Sequence, residues 1–200
     1  DVPVFTEVVS KASIEDKSAG NIFEALDGEA GVKVENQCQG CNFTILRMQG
    51  LGADHTQVLL DGQPIYSGLA GVFGLQQMST ADVDQIEIVK GAASALYGSN
   101  AVAGAINIVS SIPRKTEGKV GIELGEHGTN RYNLTASARK DKLGLFLFAQ
   151  QSEQDELDET GDDNAPGGVD NPDGWIDRVR ATSKNAGFNL FLEDILASDQ

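Results

Sequence analysis

The second half of the chain is marked by a strict alternation of apolar and polar positions. Between 131 and 139 the apolar positions are Tyr132, Leu134, Ala136 and Ala138, and every position between them is polar or charged. Successive side chains of a β-strand point to opposite faces, so this period predicts a strand with one apolar and one wet face. The same period recurs at 120–124, and further strands are predicted at 143–150 and 178–192. Four consecutive strands predict an antiparallel meander.

The first 115 residues carry shorter patterns that are punctuated by glycine. A helix is predicted over 19–26, where Ile22, Phe23 and Leu26 share one side. Asp61-Gly62 predicts a hairpin turn, because glycine adopts positive φ without steric cost. A single helical turn is predicted at 94–97. Short apolar runs bounded by turn residues predict strands at 31–34, 44–48, 57–60, 85–89 and 105–110.

A long acidic segment separates the third and fourth strands of the meander. Positions 153–177 contain ten acidic residues, no lysine or arginine, and several glycines and prolines. This composition predicts a long solvated loop. Its carboxylates offer an alternative interpretation as a calcium site. The candidate ligands are Asp158, Asp162, Asp163, Asp170, Asp173 and Asp177.

Charge and hydropathy exclude several classes of function. The net charge is -15, from 30 acidic and 15 basic residues, and no cluster of basic residues is present that would neutralise a nucleic-acid backbone. No apolar run reaches the roughly 18 residues of a transmembrane helix, whereas a barrel strand needs only about 9 to 11 alternating residues. Neither His55 nor His127 has a catalytic partner at recognisable spacing, so nothing in the sequence supports an enzyme.

Several segments of the first 115 residues resemble the plug domain of TonB-dependent outer-membrane receptors. Their order and spacing along the chain match those of the family. The segments are 58–65 (VLLDGQPI), 86–98 (IEIVKGAASALYG) and 103–109 (AGAINIV), with 21–26 (NIFEAL) and 31–34 (GVKV) upstream. The sequence is therefore identified as a member of this family, and the meander after Pro113 falls where the family places its first barrel strands.

The resemblance implies a fold, a location and a mechanism. Residues 1–115 are expected to form an α+β plug, a small mixed sheet with short helices. Residues 116–200 are expected to form an antiparallel β-meander, the truncated start of a 22-stranded transmembrane β-barrel. The implied function is uptake of a scarce metal complex, such as a ferric siderophore, haem or a cobalamin, across the outer membrane. The implied partners are TonB, the metal-chelate substrate and outer-membrane lipid, and no cofactor is required.

Two segments depart from the usual family pattern. Arg47-Met48-Gln49-Gly50 stands where many plugs have an Ile-Arg-Gly triplet, and Lys90 and Ala92 replace the usual arginine and proline. Lysine keeps the positive charge but lacks the planar fork that binds a carboxylate through two hydrogen bonds. The N-terminal TonB box, which the family places upstream of the plug, is not identifiable in this chain.

Two loops are expected to face the extracellular mouth and form the floor of the ligand pocket. Residues 36–42 and 66–74 map to these positions. An alternative is that the apolar side chains of the second loop pack on the barrel wall. The candidate ligand-binding residues are Cys38, Gln39, Cys41 and Asn42 in the first loop, and Tyr66, Ser67, Leu69 and Phe73 in the second.

The cysteine pair has three interpretations. A disulfide between Cys38 and Cys41 would rigidify the loop in the oxidising environment outside the cell. Capture of a soft metal ion such as copper is the second, although no further cysteine or histidine ligand lies nearby. The third is a redox-active pair, which is disfavoured because the motif precedes a strand and does not open a helix.

Two other functions remain open on the sequence alone. The chain could belong to a soluble or surface metal-binding module that uses Cys38 and Cys41, with residues 116–200 forming a small sheet of their own. It could also belong to a receptor whose plug transmits a regulatory signal.

Overall fold

The computed structural model describes residues 5–38, 43–65, 74–91, 97, 101–125, 128–156 and 179–192. The strands of the first part are β1 (Phe5–Ser10), β2 (Val32–Cys38), β3 (Phe43–Met48), β4 (Thr56–Leu60), β5 (Gln63–Pro64), β6 (Val83–Lys90) and β7 (Gly104–Ser110). The helices are α1 (Lys11–Asp16), α2 (Ile22–Leu26) and the short α3 (Leu75–Gln77), with a 3-10 turn at Ala53–His55. The second part holds β8 (Glu117–Leu124), β9 (Asn130–Lys140), β10 (Leu143–Gln154) and β11 (Ala181–Leu192).

A five-stranded mixed sheet, the central sheet, organises the first part. Its order is β1-β6-β7-β4-β5. β4 runs parallel to β7, and the other neighbours are antiparallel. β2 and β3 form a separate antiparallel hairpin. The strands predicted in this half are confirmed, whereas β1 and α1 were not predicted from the sequence. β1 is short and lies at a sheet edge, where β6 is its neighbour among the described strands.

The core of the first part lies between α2 and the central strands. Ile86, Ile88, Ile106 and Ile108 of β6 and β7 are fully buried, as are Ile22 and Leu26 of α2. The predicted helix at 19–26 begins only at Ile22, because Asn21 caps it and accepts a hydrogen bond from the Glu24 backbone N–H. Burial of these branched side chains is the main stabilising term for such a small domain.

The Asp61-Gly62 turn is confirmed. Both residues have positive φ, 49° and 78°, which is the geometry of a two-residue hairpin between β4 and β5. Asp61 also accepts hydrogen bonds from the backbone N–H and the hydroxyl of Ser110, each at 2.8 Å. The turn thereby ties β4 to the end of β7. The helical turn predicted at 94–97 lies outside the described residues except for Tyr97.

The second part is a four-stranded antiparallel sheet, the outer sheet, in the order β11-β10-β9-β8. β9 and β10 are joined by a two-residue turn, with Lys140 paired to Leu143. The predicted meander is confirmed. The domain boundary at residue 115 stays a prediction, although the outer sheet begins at Glu117.

The outer sheet has an inverted distribution of polarity. On its outward face Val120, Leu134 and Leu190 are 75%, 53% and 59% exposed, whereas Arg131 and Gln150 on the opposite face are 6% and 5% exposed. The polar face packs on the first part of the chain, which contains the central sheet. The apolar face points away from the protein. The described residues contain no helix that is long and apolar enough to cross a membrane.

Candidate functional site

Most of the site residues predicted from the sequence lie outside the described residues. Cys38 ends β2 and pairs in register with Phe43, the first residue of β3, so the loop 39–42 connects the two strands of a hairpin. The remaining predicted ligand and metal positions therefore stay predictions. They are Gln39, Cys41, Asn42, Tyr66, Ser67, Leu69 and Phe73 in the two loops, and Asp158, Asp162, Asp163, Asp170, Asp173 and Asp177 in the acidic segment.

The described residues bring together a different polar site, where the outer sheet meets the turn between α1 and α2. This turn, Ser18–Asn21, is called the α1–α2 turn below. Ser18 has a φ of 51°, a left-handed conformation that non-glycine residues seldom adopt. Thr80 donates from its hydroxyl to the carbonyl of Ala19 at 2.5 Å. The turn is thus held from the plug side by the segment that leads into β6.

Arg131 of β9 is the central cation of this site. Its side chain is only 7% exposed. Its Nη1 donates to Glu123 Oε2 of β8 at 2.7 Å and to the carbonyl of Ser18, and its Nη2 donates to Glu24 Oε2 of α2 at 2.9 Å. One guanidinium therefore joins two strands of the outer sheet to two points of the central part, a geometry that its planar fork of donors favours.

Gly20 allows this approach. A Cβ built at Gly20 would lie 2.0 Å from Arg131 Nε, so any larger residue would collide with the guanidinium. The Gly20 backbone N–H donates to Glu24 Oε2 at 2.7 Å, the same oxygen that accepts from Arg131. The carboxylate of Glu24 therefore links the turn's backbone to the arginine.

Gln150 of β10 makes the second contact between the two sheets. It is buried, donates from Nε2 to the carbonyl of Gly20 at 2.9 Å, and accepts from the Ser79 hydroxyl. A buried amide that satisfies both of its ends in this way fixes the register of the two surfaces. Next to Arg131 and Gln150 lies a polar cavity of about 440 Å³, lined by Gln76, Gln77, Ser152 and Asn185 among others.

The two basic residues at the positions that depart from the family pattern pair within the first part of the chain. Arg47 Nε donates to Glu35 Oε2 at 2.7 Å, and Lys90 binds Glu7 of β1. Hydrogen bonds from Lys33 and then from Arg47 lower the pKa of Glu35 to about 2. Within the described residues, neither basic side chain reaches the outer sheet. Arg131 of the outer sheet instead provides the cation of the contact between the two parts of the chain. Its carboxylate partner in the first part is Glu24 of α2.

Burial affects one further carboxyl group near the interface. It raises the pKa of Asp82, which precedes β6, above its ordinary value, and a hydrogen bond from its own backbone opposes the rise. The backbone carbonyl of Asp82 accepts from Ser111 N–H at 2.6 Å, where the chain leaves the central sheet.

This arrangement is suited to holding two bodies together. Among the described residues, no three histidine, cysteine, aspartate or glutamate side chains converge on a metal position. Sequence reasoning missed Arg131, Glu24 and Gln150 as a site, and assigned Arg131 only to the wet face of a strand. A usable signal was present in that assignment, since an arginine that a sheet buries against its neighbour needs a carboxylate or carbonyl partner.

Comparisons with known proteins agree on one family. Residues 1–105 match the family model of the TonB-dependent receptor plug domain. The vitamin B12 transporter BtuB of Vibrio vulnificus strain YJ016 is 30% identical over 148 residues, which cover 72% of this chain and 24% of that protein. The BtuB of Vibrio cholerae strain M66-2 is 27% identical over 150 residues, covering 74% and 24%. The chain thus spans about a quarter of the length of these relatives.

Solved structures show the same fold. The ferric yersiniabactin uptake receptor FyuA from Yersinia pestis aligns with a TM-score of 0.64 at 23% identity, over 96% of this chain and 29% of the receptor. The ferric-catecholate import receptor Fiu from E. coli K12 aligns with a TM-score of 0.63 at 22% identity, over 82% and 23%. At these identities the likeness concerns the fold alone.

Proposed function

Because the chain belongs to the TonB-dependent receptor plug domain family, we propose that the protein imports a scarce metal chelate through a barrel that its plug closes, and is not an enzyme. Its location is the outer membrane. The central sheet with its helices is the plug, and the outer sheet is part of the barrel wall, for which 22 strands are proposed. Energy would come from TonB, because the outer membrane itself has neither ATP nor an ion gradient.

One observation carries this proposal, which is the inverted polarity of the outer sheet. Its apolar side chains are exposed and its polar side chains are buried against the plug. A water-soluble sheet that packs on a core shows the opposite arrangement, whereas the wall of a transmembrane barrel places apolar residues toward lipid and polar residues toward the lumen. The same observation argues against a soluble metal-binding module.

The substrate class is a ferric siderophore, haem or a cobalamin. The relatives at 27% and 30% identity are vitamin B12 transporters, which makes cobalamin the first substrate to test. The proposed contacts are the loop positions Cys38, Gln39, Cys41 and Asn42 with Tyr66, Ser67, Leu69 and Phe73. A disulfide between Cys38 and Cys41 would stiffen the first loop, and calcium in the acidic segment would order a second surface.

An uptake assay tests the proposal. Cells that lack the gene are compared with complemented cells for uptake of labelled cyanocobalamin, a ferric siderophore and haemin, each with and without a functional TonB. Import is expected for one chelate, and it should disappear without TonB. Equal uptake with and without the gene for all three would refute import of this class. Titration of thiols with and without reductant then decides between the disulfide and a free or metal-binding pair.

A further inference from the structure

The outer sheet holds the plug by main-chain groups of the α1–α2 turn. Arg131 binds the Ser18 carbonyl, Gln150 binds the Gly20 carbonyl, and Glu24 connects the Gly20 N–H to Arg131. Main-chain groups cannot swing away as surface side chains do. Separation of the turn from the wall therefore requires the simultaneous loss of the buried Gln150 bond and of two part-buried bonds from the charged guanidinium of Arg131.

The segment before this turn is held by the central part, and its contact with the outer sheet is weak. Among the described strands, β1 lies at the sheet edge and pairs with β6, and Phe5 and Val8 are 65% and 52% exposed. α1 has six residues and buries Ile14. Its ion pair with the outer sheet, Glu15 to Lys119, spans 3.9 Å with both side chains 60% exposed, and such pairs contribute little.

Chain order turns this contrast into a mechanical boundary. A force applied at the N-terminus acts first on β1, then on α1, and reaches the α1–α2 turn only afterwards. Before the turn, β1 lies at a sheet edge and three of the six residues of α1 are exposed, with Val9 and Ile14 buried. At the turn, Ala19 and Gly20 are buried and the backbone is tied to the wall. Loss of β1 leaves β6 paired with β7, so the sheet interior with Ile88 and Ile106 stays intact.

We propose that Arg131, Glu24, Glu123 and Gln150 form a clamp that stops N-terminal unfolding of the plug at the α1–α2 turn. The inference rests on the proposed function, in which TonB pulls on the N-terminus. Residues 5–17 are the part that a pull releases while the clamp holds. Release of the rest of the plug requires Arg131 to leave Glu24 and the Ser18 carbonyl, while its pair with Glu123 stays within the outer sheet. Arg131 is thus a positioning residue that holds the α1–α2 turn of the plug against the barrel wall.

Single-molecule pulling on the full-length receptor in a lipid membrane tests the clamp. A tag at the N-terminus is the handle, and no substrate or TonB is added. At roughly 3.3–3.6 Å per residue, release of 5–17 gives a first step of about 45 Å. In Arg131→Gln the first step is expected to continue through α2, to at least about 75 Å. Arg180→Gln is the matched control, because Arg180 directly precedes β11 and its side chain is 67% exposed. This variant should leave the first step at about 45 Å.

Two further variants keep the test decisive if Arg131→Gln fails to assemble in the membrane. Glu24→Gln removes the plug-side charge without altering the barrel, and Arg131→Lys keeps the charge but cannot bind both carboxylates and the Ser18 carbonyl together. Both are expected to lengthen the first step. Equal first steps in wild type and in the assembled variants would overturn the clamp, as would a wild-type first step that already runs beyond Leu26.

The pulling result is independent of the import assay. If none of the three chelates is imported but the first step is longer in Arg131→Gln than in wild type, the clamp is supported and the proposed function is refuted. If cobalamin is imported but the first step has the same length in wild type and in Arg131→Gln, the proposed function is supported and the clamp is refuted.

Discussion

The central and outer sheets use similar residues for opposite purposes. In β7 of the central sheet, Ile106 and Ile108 are fully buried, whereas in β8 of the outer sheet Ile122 is 65% exposed. Both sheets contain branched apolar residues at alternate positions, so propensity does not separate them. The difference is the medium that each face meets, since one apolar face packs on α2 and the other looks outward. Alternation alone therefore tells where a strand is and leaves open which side faces lipid.

Glycine substitutions should separate the two sheets most strongly. A Cβ at Gly104 of β7 would lie 2.1 Å from the carbonyl oxygen of Val89, and φ there is 144°. Gly104→Ala is expected to destabilise the plug by about 4 kcal/mol through overlap and backbone strain. Gly118→Ala in β8, where the nearest atom is 3.8 Å away, should change stability by less than about 0.5 kcal/mol. Chemical unfolding of the membrane-inserted receptor measures both, and equal losses would contradict the comparison.

Truncation of a buried isoleucine should give the next largest effect. Ile106→Ala leaves a cavity in the core of the central sheet and is expected to cost about 3 kcal/mol. Ile122→Ala removes the same atoms from the outward face of β8, where no protein cavity forms, and should cost about 1 kcal/mol or less. Unfolding of the plug in urea, monitored through hydrogen exchange of β6 and β7, measures the loss of stability in Ile106→Ala. A larger loss for Ile122→Ala would show that the outward face is packed on protein.

A charge on the outward face tests the proposed lipid contact directly. Leu134→Arg is expected to destabilise the membrane-inserted barrel by about 2 kcal/mol, less if the position lies near the membrane surface. Asn133→Arg is the control on the inner face, next to Glu123, and should be tolerated within about 1 kcal/mol. Unfolding in lipid vesicles compares them. If the arginine costs less at 134 than at 133, the two faces have been assigned the wrong way round.

Acid should have the smallest effect, and it acts within the plug. Burial raises the pKa of Asp82, so the folded state takes up its proton first as pH falls. The stability that this group contributes is fully present below its ordinary pKa of 3.8 and is lost as pH rises through the raised pKa. Glu35 behaves oppositely. Its lowered pKa gives stability above pH 4.5 that is lost as pH falls toward about 2.

Single substitutions separate these two contributions. Asp82→Asn should remove the gain on acidification, and Glu35→Gln should remove the loss. Both variants are compared by unfolding at a series of pH values between neutrality and pH 3. An unchanged pH dependence in both would show that neither carboxyl is coupled to folding.

Local sequence rules determined much of the fold. The hairpin at Asp61-Gly62 and strands β6, β7 and β9 followed from turn chemistry and apolar period, because each depends on neighbouring residues. β1 was missed because Phe5–Ser10 carries no clear period and is a strand only through its pairing with β6. The site at Arg131 was missed for a related reason, since its partners Ser18 and Glu24 are more than a hundred positions away.

The pairing of β1 with β6 also constrains how the chain assembles. Ser10 meets Gln85 and Phe5 meets Lys90, so β1 must wait for a partner much later in the chain. Closing so long a loop costs entropy before any contact is gained, and pairings of this kind form slowly. We expect β1 to join the sheet last, after β6 has already paired with β7. β1, the last strand to join the sheet during folding, would then also be the first strand that can be withdrawn without disturbing the rest of the central sheet.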